Sequence, residues 1–446
     1  MKLFLATFGS LGDVQPFIAL GGALRSAGHD VTLCTASRFE RQVSECGLLF
    51  APTTSALLEQ MDGELGRTIL GGEAGTVATI RAGLKLNVLA RPINRQMMVD
   101  VWRAAEAIRP DAVVYHPKVL AAPSVADKLQ IPAIMANLQP MFVPTKAFPA
   151  PGMPDFNKSA LCMSAPVWGG WYNRRSYDLV ALGYRAYRGL IDAFRRDVLG
   201  LSGLSRKAGL SRRSNGEAIP MLNAFSRHVV PRPDDWPPQA VVSGYWFLDR
   251  PAGWRPSPSL EAFLKDGDAP VYVGFGSLSG RNPKALGELV VTALRRAGKR
   301  GLLSKGWGGL EVHPGSSDIH VLDQAPHDWL FERVAAVVHH GGAGTTAAGL
   351  KAGRPSVLCP FFGDQPFWAA RVHALGAGPK PIARKELTAS RLADAIGAAI
   401  CSSDIAGHAE CLGRAIRSEG GTAQAVRFIQ QELERQWPST LLRSRL

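Results

Sequence analysis

No stretch of this 446-residue chain approaches the roughly 20 consecutive apolar residues that a bilayer-spanning helix needs. The opening run Met1–Phe8 is apolar but short and meets Gly9 directly, which reads as a first β-strand rather than a secretory signal. Cysteine is scarce: six residues (34, 46, 162, 359, 401, 411) stand far apart with no Cys-x-x-Cys. That argues against a disulfide scaffold or a zinc site and suggests buried free thiols in a reducing cytoplasm. Acidic residues are outnumbered, with Asp+Glu 37 against Lys+Arg 51 and a formal charge of +14. Helix-turn-helix, zinc-finger and RNA-recognition signatures are missing and the basic residues are scattered, so nucleic acid is not an expected partner. An arginine-rich surface, an anionic substrate and an anionic membrane face remain as readings of the charge, the last giving peripheral contact at the inner face of a membrane. No His/Cys/carboxylate cluster has metal-ligand spacing, so neither metal nor resident cofactor is expected. Asp266-Gly267-Asp268, an Asp-x-Asp, sits beside a proline before a strand and reads as a solvated turn.

What is present is a globular composition, 46% hydrophobic and 20% charged, at a length that accommodates two ordinary domains. Strands are predicted at Leu3–Phe8, Val31–Thr35, Ala112–Tyr115 and Ala133–Ala136, with a helix at Gln15–Ala27 ending in Gly28. The second half repeats the pattern. Strands are predicted at Val271–Phe275, Leu302–Ser304, Ile319–Leu322, Ala335–Val338 and Ser356–Cys359, with helices at Leu286–Ala297 and Thr345–Ala352. Such alternation implies βαβ units around parallel sheets, an α/β fold. Between the halves, residues 230–270 hold eight prolines and read as a linker by composition. The predicted division is 1–230, a linker 231–268, 269–422, and an amphipathic tail 423–446 with Val426, Phe428, Ile429 and Leu433 at helical spacing. Segment 166–196 is rich in Trp, Tyr and Arg, and Tyr184, Tyr187, Ile191 and Phe194 fall on one helical face.

The densest chemical signal runs from Val337 to Gln365. An apolar strand enters His339-His340-Gly341-Gly342-Ala343-Gly344-Thr345-Thr346, a helix starts at once, and the next strand leads to Pro360-Phe361-Phe362-Gly363-Asp364-Gln365. Glycines at a strand mouth let a ligand approach the backbone, and a helix N-terminus offers free N–H groups to phosphate. An Asp-Gln pair can hold several hydroxyls. Phosphate plus polyol points to a sugar nucleotide. Gly274-Phe275-Gly276-Ser277 is a second glycine turn able to aim N–H groups and a hydroxyl at phosphate. The turn after the first strand, Gly9-Ser10-Leu11-Gly12-Asp13-Val14-Gln15-Pro16, is not a Gly-x-Gly-x-x-Gly fingerprint, and Asp13 on local sequence reads as a helix-capping aspartate.

Together these motifs resemble the glycosyltransferase family 1 enzymes of the GT-B fold, in the branch that glycosylates sterols, lipids and antibiotics. The stretches that carry the resemblance are 9–16, 270–277, Pro326-His327-Asp328-Trp329-Leu330-Phe331, 339–346 and 361–365. The resemblance implies two Rossmann-like domains facing across a cleft, acceptor on the first and sugar nucleotide on the second, with the C-terminal helix packed back on the first. It implies that His340, Gly342, Gly344 and Thr345, with Ser277, contact the donor diphosphate. Asp364 and Gln365 would hold the donor sugar, and Gln324 and Ala325 would line the base. Plant members carry a tryptophan where this chain has Gln324; Trp307 is the candidate replacement, and UDP and TDP donors both stay open.

Many members carry a histidine base where this chain has Asp13, so the resemblance turns the capping aspartate into a candidate general base, made more basic by burial. His116, directly after Ala112–Tyr115, would orient Asp13 or share its proton; a plain loop histidine before Pro117 is the other reading. The implied activity is inverting, metal-independent transfer of a sugar, glucose by preference, from a UDP-sugar to a hydroxyl. A loop Thr145-Lys146-Ala147-Phe148-Pro149 like the sterol branch's favours a hydrophobic acceptor: sterol, lipid or polyketide.

Overall fold

A computed structural model of the chain describes residues 1–63, 76–155, 166–276, 283–305 and 317–436, with backbone alone at 76–88 and 166–168. It divides into two compact units, one of Met1–Gln60, Lys85–Leu248 and Glu419–Leu446, the other of Met61–Leu84 and Asp249–Ser418.

Among the described residues the first unit is built on seven parallel strands: β1 (Lys2–Ala6), β2 (Asp30–Ala36), β3 (Leu49–Thr53), β4 (Ala112–Tyr115), β5 (Ala133–Asn137), β6 (Met221–Asn223) and β7 (Ala240–Val242). Their order is β3-β2-β1-β4-β5-β6-β7. Leu3, Phe4, Leu5 and Ala6 of β1 are all fully buried, as are Ala112, Val113 and Val114 of β4. A central parallel strand covered on both faces has no polar side to present, which is why these segments read as unbroken apolar runs. β3 carries Pro52 and lies at the sheet edge, where a missing N–H costs no ladder bond. The helix Gly421–Gln436 buries Ala425, Val426, Ile429 and Leu433 and packs against the first helix, Leu11–Ser26, with Gln430 Nε2 3.3 Å from His29 Nε2.

The second unit holds, among the described residues, five parallel strands: β8 (Val271–Gly274), β9 (Gly301–Ser304), β10 (Ile319–Leu322), β11 (Ala336–His339) and β12 (Ser356–Leu358), ordered β10-β9-β8-β11-β12. The two-residue period of a strand sends neighbours to opposite faces. Val271 and Val273 join one core with Val290, Leu294, Leu392 and Ile396, while Tyr272 joins another with Leu260, Leu330 and Phe331.

Two segments differ from their sequence-level description. Stretch 231–268 carries β7 and a capped helix, Pro258–Lys265, whose N-cap Ser257 Oγ accepts from Leu260 N–H at 3.3 Å. Segment 166–196 is two helices, Pro166–Arg185 and Arg188–Asp197, so Tyr184 ends the first helix, while Tyr187 caps the second and keeps its spacing with Ile191, whose N–H donates to the Tyr187 carbonyl at 2.9 Å. Asp266 and Asp268 are exposed on a turn with Gly267 at φ +88°. Among the described residues no helix is long and apolar enough to cross a membrane.

Candidate active site

Each sheet reverses its strand order once, between β1 and β4 in the first and between β8 and β11 in the second. Loops leaving the carboxyl ends of two such strands diverge and leave a crevice, the usual ligand position in an open α/β sheet. Asp13 and His116 lie at the first of these places and His340, Gly342, Gly344 and Thr345 at the second.

In the first unit, Ala6 pairs in register with Tyr115 and His116 N–H donates to the Ala6 carbonyl at 2.8 Å, so the turns after β1 and β4 run side by side. Ser10 is the N-cap of helix Leu11–Ser26 and Asp13 its third residue. Asp13 Oδ2 accepts from the Ser10 N–H at 2.8 Å and from the Ser10 hydroxyl at 3.2 Å, the acid half of a capping box. Gly9 makes this possible. Its φ of +143° suits only glycine, and a Cβ there would collide with the Asp13 carboxylate. The capping reading is therefore right for one oxygen, although the cap itself is Ser10.

The other oxygen faces different partners. Oδ1 accepts from Lys118 Nζ at 2.8 Å, and His116 Nε2 lies 3.9 Å away, outside hydrogen-bond range. His116 is fully buried, with the Phe17 ring edge-on at 6.3 Å. Its Nδ1 accepts the Lys118 N–H at 3.2 Å, which places the ring proton on Nε2, toward Asp13. Burial, reinforced by Lys118 and opposed by Asp13, drives the His116 pKa down to about 3, so the imidazole is neutral at pH 7. For Asp13, burial alone would raise the carboxyl's pKa, but the Lys118 ammonium above all, then His116 and the Ser10 N–H, outweigh it and hold the group below its ordinary value. The expectation of a carboxylate made more basic by burial is thus reversed while Lys118 is bound.

In the second unit, register pairs Gly274 with His339 and brings Phe275-Gly276 beside His340. The two histidines part company. His339 ends β11 fully buried, and its Nδ1 accepts the Gly341 N–H at 3.0 Å, closing the turn. The His340 ring lies between two glycines: an added Cβ would stand 3.1 Å from its Cε1 at Gly276 and 2.6 Å from its Nε2 at Gly342. Burial lowers its pKa to about 4 against the Gly274 backbone, so it meets a ligand as a neutral imidazole. Gly342 caps the helix Ala343–Lys351, whose first N–H groups have no partner within the helix. Gly344 is exposed with open space where a side chain would stand, Thr345 is half-buried, and Thr346 turns its hydroxyl inward onto the Gly342 carbonyl at 2.9 Å.

Gly341 abuts the Gln365 backbone carbonyl, so the Asp364-Gln365 turn adjoins the histidine-glycine turn. Asp364 Oδ2 accepts from Nε1 of the fully buried Trp368, one helical turn on. Gln365 is buried and its Oε1 accepts the N–H groups of Phe361 at 2.8 Å and Phe362 at 3.1 Å. That carbonyl shapes the turn. Gln324 is exposed after β10, and Ala325 packs on the Leu260–Tyr272–Leu330 core. Ser277 and Trp307 lie outside the described residues.

Sequence reasoning missed Lys118. Its signal was position: two residues past His116, at the end of a strand beside the order reversal.

Residues 3–148 match the glycosyltransferase family 28 N-terminal domain, and 311–412 match the erythromycin biosynthesis protein CIII-like C-terminal domain. Among solved structures, the glycosyltransferase of kitacinnamycin superposes with TM-score 0.65 at 22% identity, covering 97% of this chain and 99% of that one. Glycosyltransferase VinC, in complex with DTDP, gives 0.65 at 17% identity, covering 98% and 100%. At these identities the likeness is one of fold. The chain belongs to the GT-B glycosyltransferases. Within them it is similar to sterol 3-beta-glucosyltransferases: that of Arabidopsis thaliana is 36% identical over 451 residues, 97% of this chain and 66% of the relative. That of Aspergillus fumigatus is 34% identical over 458 residues, 100% of this chain and 30% of the relative. The chain thus spans about two thirds of the plant relative and less than a third of the fungal one.

Proposed function

We propose that the protein is an inverting glycosyltransferase that moves glucose from UDP-glucose to a hydroxyl of a hydrophobic acceptor, a sterol or similar lipid alcohol. The observation that carries the chemistry is the division of labour within Asp13: Oδ2 is tied to the helix cap and Oδ1 faces the proton-bearing Lys118 and His116. Similarity to sterol glucosyltransferases along nearly the whole chain supports the acceptor class. Asp13 takes the acceptor proton, and the acceptor oxygen attacks the anomeric carbon from the face opposite the diphosphate, through an oxocarbenium-like transition state. The leaving diphosphate gains charge, which the His340 N–H and the N–H groups at Gly344 and Thr345 receive, with no metal required. Ser277, Asp364, Gln365, Gln324, Ala325 and Trp307 are assigned to the donor on resemblance. A screen of UDP- and TDP-glucose against sterols, flavonoids, macrolides and hydroxy-lipids, read as nucleotide release, tests the reading. Release without any acceptor dependence would instead indicate a sugar-nucleotide hydrolase.

Free thiols at Cys34 and Cys359, both buried, support a cytoplasmic location. Peripheral contact with an anionic membrane is supported by helix Pro166–Arg185. It exposes Trp171, Leu179 and Leu182 on a face shared with Arg175, whose guanidinium lies 5.8 Å from the Trp171 ring centre. Sedimentation with phosphatidylserine vesicles at low salt should carry the protein down, and high salt or Trp171→Ala should release it; absence from the low-salt pellet removes the contact.

A further inference from the structure

Two hydrogen-bond donors face Oδ1 of Asp13, and only one is bonded. Lys118 Nζ sits on the oxygen at 2.8 Å. His116 Nε2 stands 3.9 Å off and, buried, has no hydrogen-bond partner among the described residues. A buried N–H left without an acceptor is an unfavourable arrangement that native structures rarely keep without a reason. The two donors also differ in freedom. His116 is enclosed by Phe17 and held through Nδ1 by the Lys118 N–H. The Lys118 side chain is 47% exposed, so its ammonium can return to water by rotating a flexible stem.

Among the described residues, the surroundings offer Asp13 no other charge. The turn after β4 presents Lys118 and His116, and its own helix start presents the Ser10 N–H and hydroxyl. The Thr7 hydroxyl donates to the Asp13 backbone carbonyl at 2.9 Å, and beyond His116 the wall is aromatic, Phe17 against Trp246 at 5.9 Å. Removing one cation therefore removes the principal force that keeps the carboxylate ionised, and burial then governs its basicity in the opposite sense.

We propose that Lys118 is a detachable counterion for Asp13: while Nζ occupies Oδ1 the carboxylate rests as a weak base, and when Nζ leaves, Oδ1 takes the His116 Nε2–H and becomes the stronger base that acceptor deprotonation needs. Lys118 is thus a positioning residue acting through Asp13, and the inference rests on the reading of Asp13 as the base.

The test uses the full chain with Lys118→Met and Lys118→Arg. In a crystal structure of Lys118→Met, the His116 Nε2 to Asp13 Oδ1 distance should shorten from 3.9 Å into hydrogen-bond range. In kcat/KM profiles the acid limb of Lys118→Met should move to higher pH, with the plateau above it no lower than wild type, while Lys118→Arg keeps the wild-type limb. An unchanged distance together with an unmoved limb overturns the proposal. So does a uniform loss at every pH with a raised KM, which would make Lys118 a substrate ligand. If Asp13→Asn retains full turnover the base assignment falls, yet the crystallographic distance still decides whether Lys118 holds Oδ1 from His116. Should Lys118→Met fold poorly, Lys118→Gln carries the same readouts.

Discussion

The two sheets reverse strand order at equivalent places, yet the turns that leave the strands there are opposite in character. After β1 and β4 come a carboxylate, an ammonium and an imidazole, with the carboxylate within 4 Å of both the others. After β8 and β11 come glycines around a neutral imidazole and the open N-terminus of a helix. The first place is suited to moving a proton, because it sets a carboxylate beside two groups that carry protons. The second is suited to holding an anion, because its donors are backbone N–H groups and an uncharged ring that needs no reorganisation as charge arrives. One topological rule makes both crevices; the residues just past the strand ends decide which chemistry each can perform.

Mutations can break that contrast on either side. Asp13→Asn keeps the cap acceptor but removes the base, and kcat should fall by on the order of 10²–10⁴. UDP affinity, measured by calorimetry, should stay unchanged; equal turnover would remove the proton-transfer role. His340→Ala should lower kcat by about 10²–10³, a loss of roughly 2.7–4 kcal/mol by analogy with an oxyanion-hole donor, with acceptor KM retained. A glycine pair separates strain from access. Gly9→Ala forces φ +143° on a side chain and strikes the Asp13 carboxylate, so thermal denaturation should show a loss of about 1–3 kcal/mol. Gly344→Ala meets open space and should leave stability within about 0.5 kcal/mol.

Buried imidazoles in both units add an acid-sensitive term. His116 is depressed to about 3, and His327 and His340 to about 4, from an ordinary 6.5. Between pH 6.5 and 4 the unfolded chain binds protons that the folded chain refuses. Their contribution to stability is therefore intact above 6.5 and lost as pH falls toward the folded values. Urea titrations of His340→Gln should show a dependence on pH shallower by about 1.4 kcal/mol per unit in that window. Trp368→Phe deletes the hydrogen bond from Trp368 to Asp364 at a cost of about 1 kcal/mol and should raise donor KM a few-fold without changing the acid limb.

Much of the scaffold was legible because its strands are central. Ala112–Tyr115 has the bounds expected of it, since a buried run of four apolar residues admits few alternatives, and Ile319–Leu322 has them too although it is an edge strand with His320 half-buried. β6 and β7 were missed: three residues each, β7 among prolines, they are strands only because a neighbouring ladder pairs with them. At the sites, residue types were legible and electrostatic sign was not. Asp13 and His116, 103 residues apart, were named by resemblance and lie 3.9 Å from one another, but no local pattern shows that Lys118 reaches Oδ1. Likewise, no local pattern shows that the Gln365 carbonyl accepts the Phe361 and Phe362 amides and shapes its own turn.

The return of helix Gly421–Gln436 to the first unit has a consequence for biosynthesis. That unit's sheet is complete once Leu248 has been made, but the helix that covers Leu11–Ser26 emerges roughly 170 residues later, about 10–30 s at ordinary rates of translation. During that interval the outer surface of the first helix is uncovered on the ribosome. The nascent chain should depend on chaperones at that stage, and truncation before Gly421 should leave an aggregating first unit even though its strands are all present.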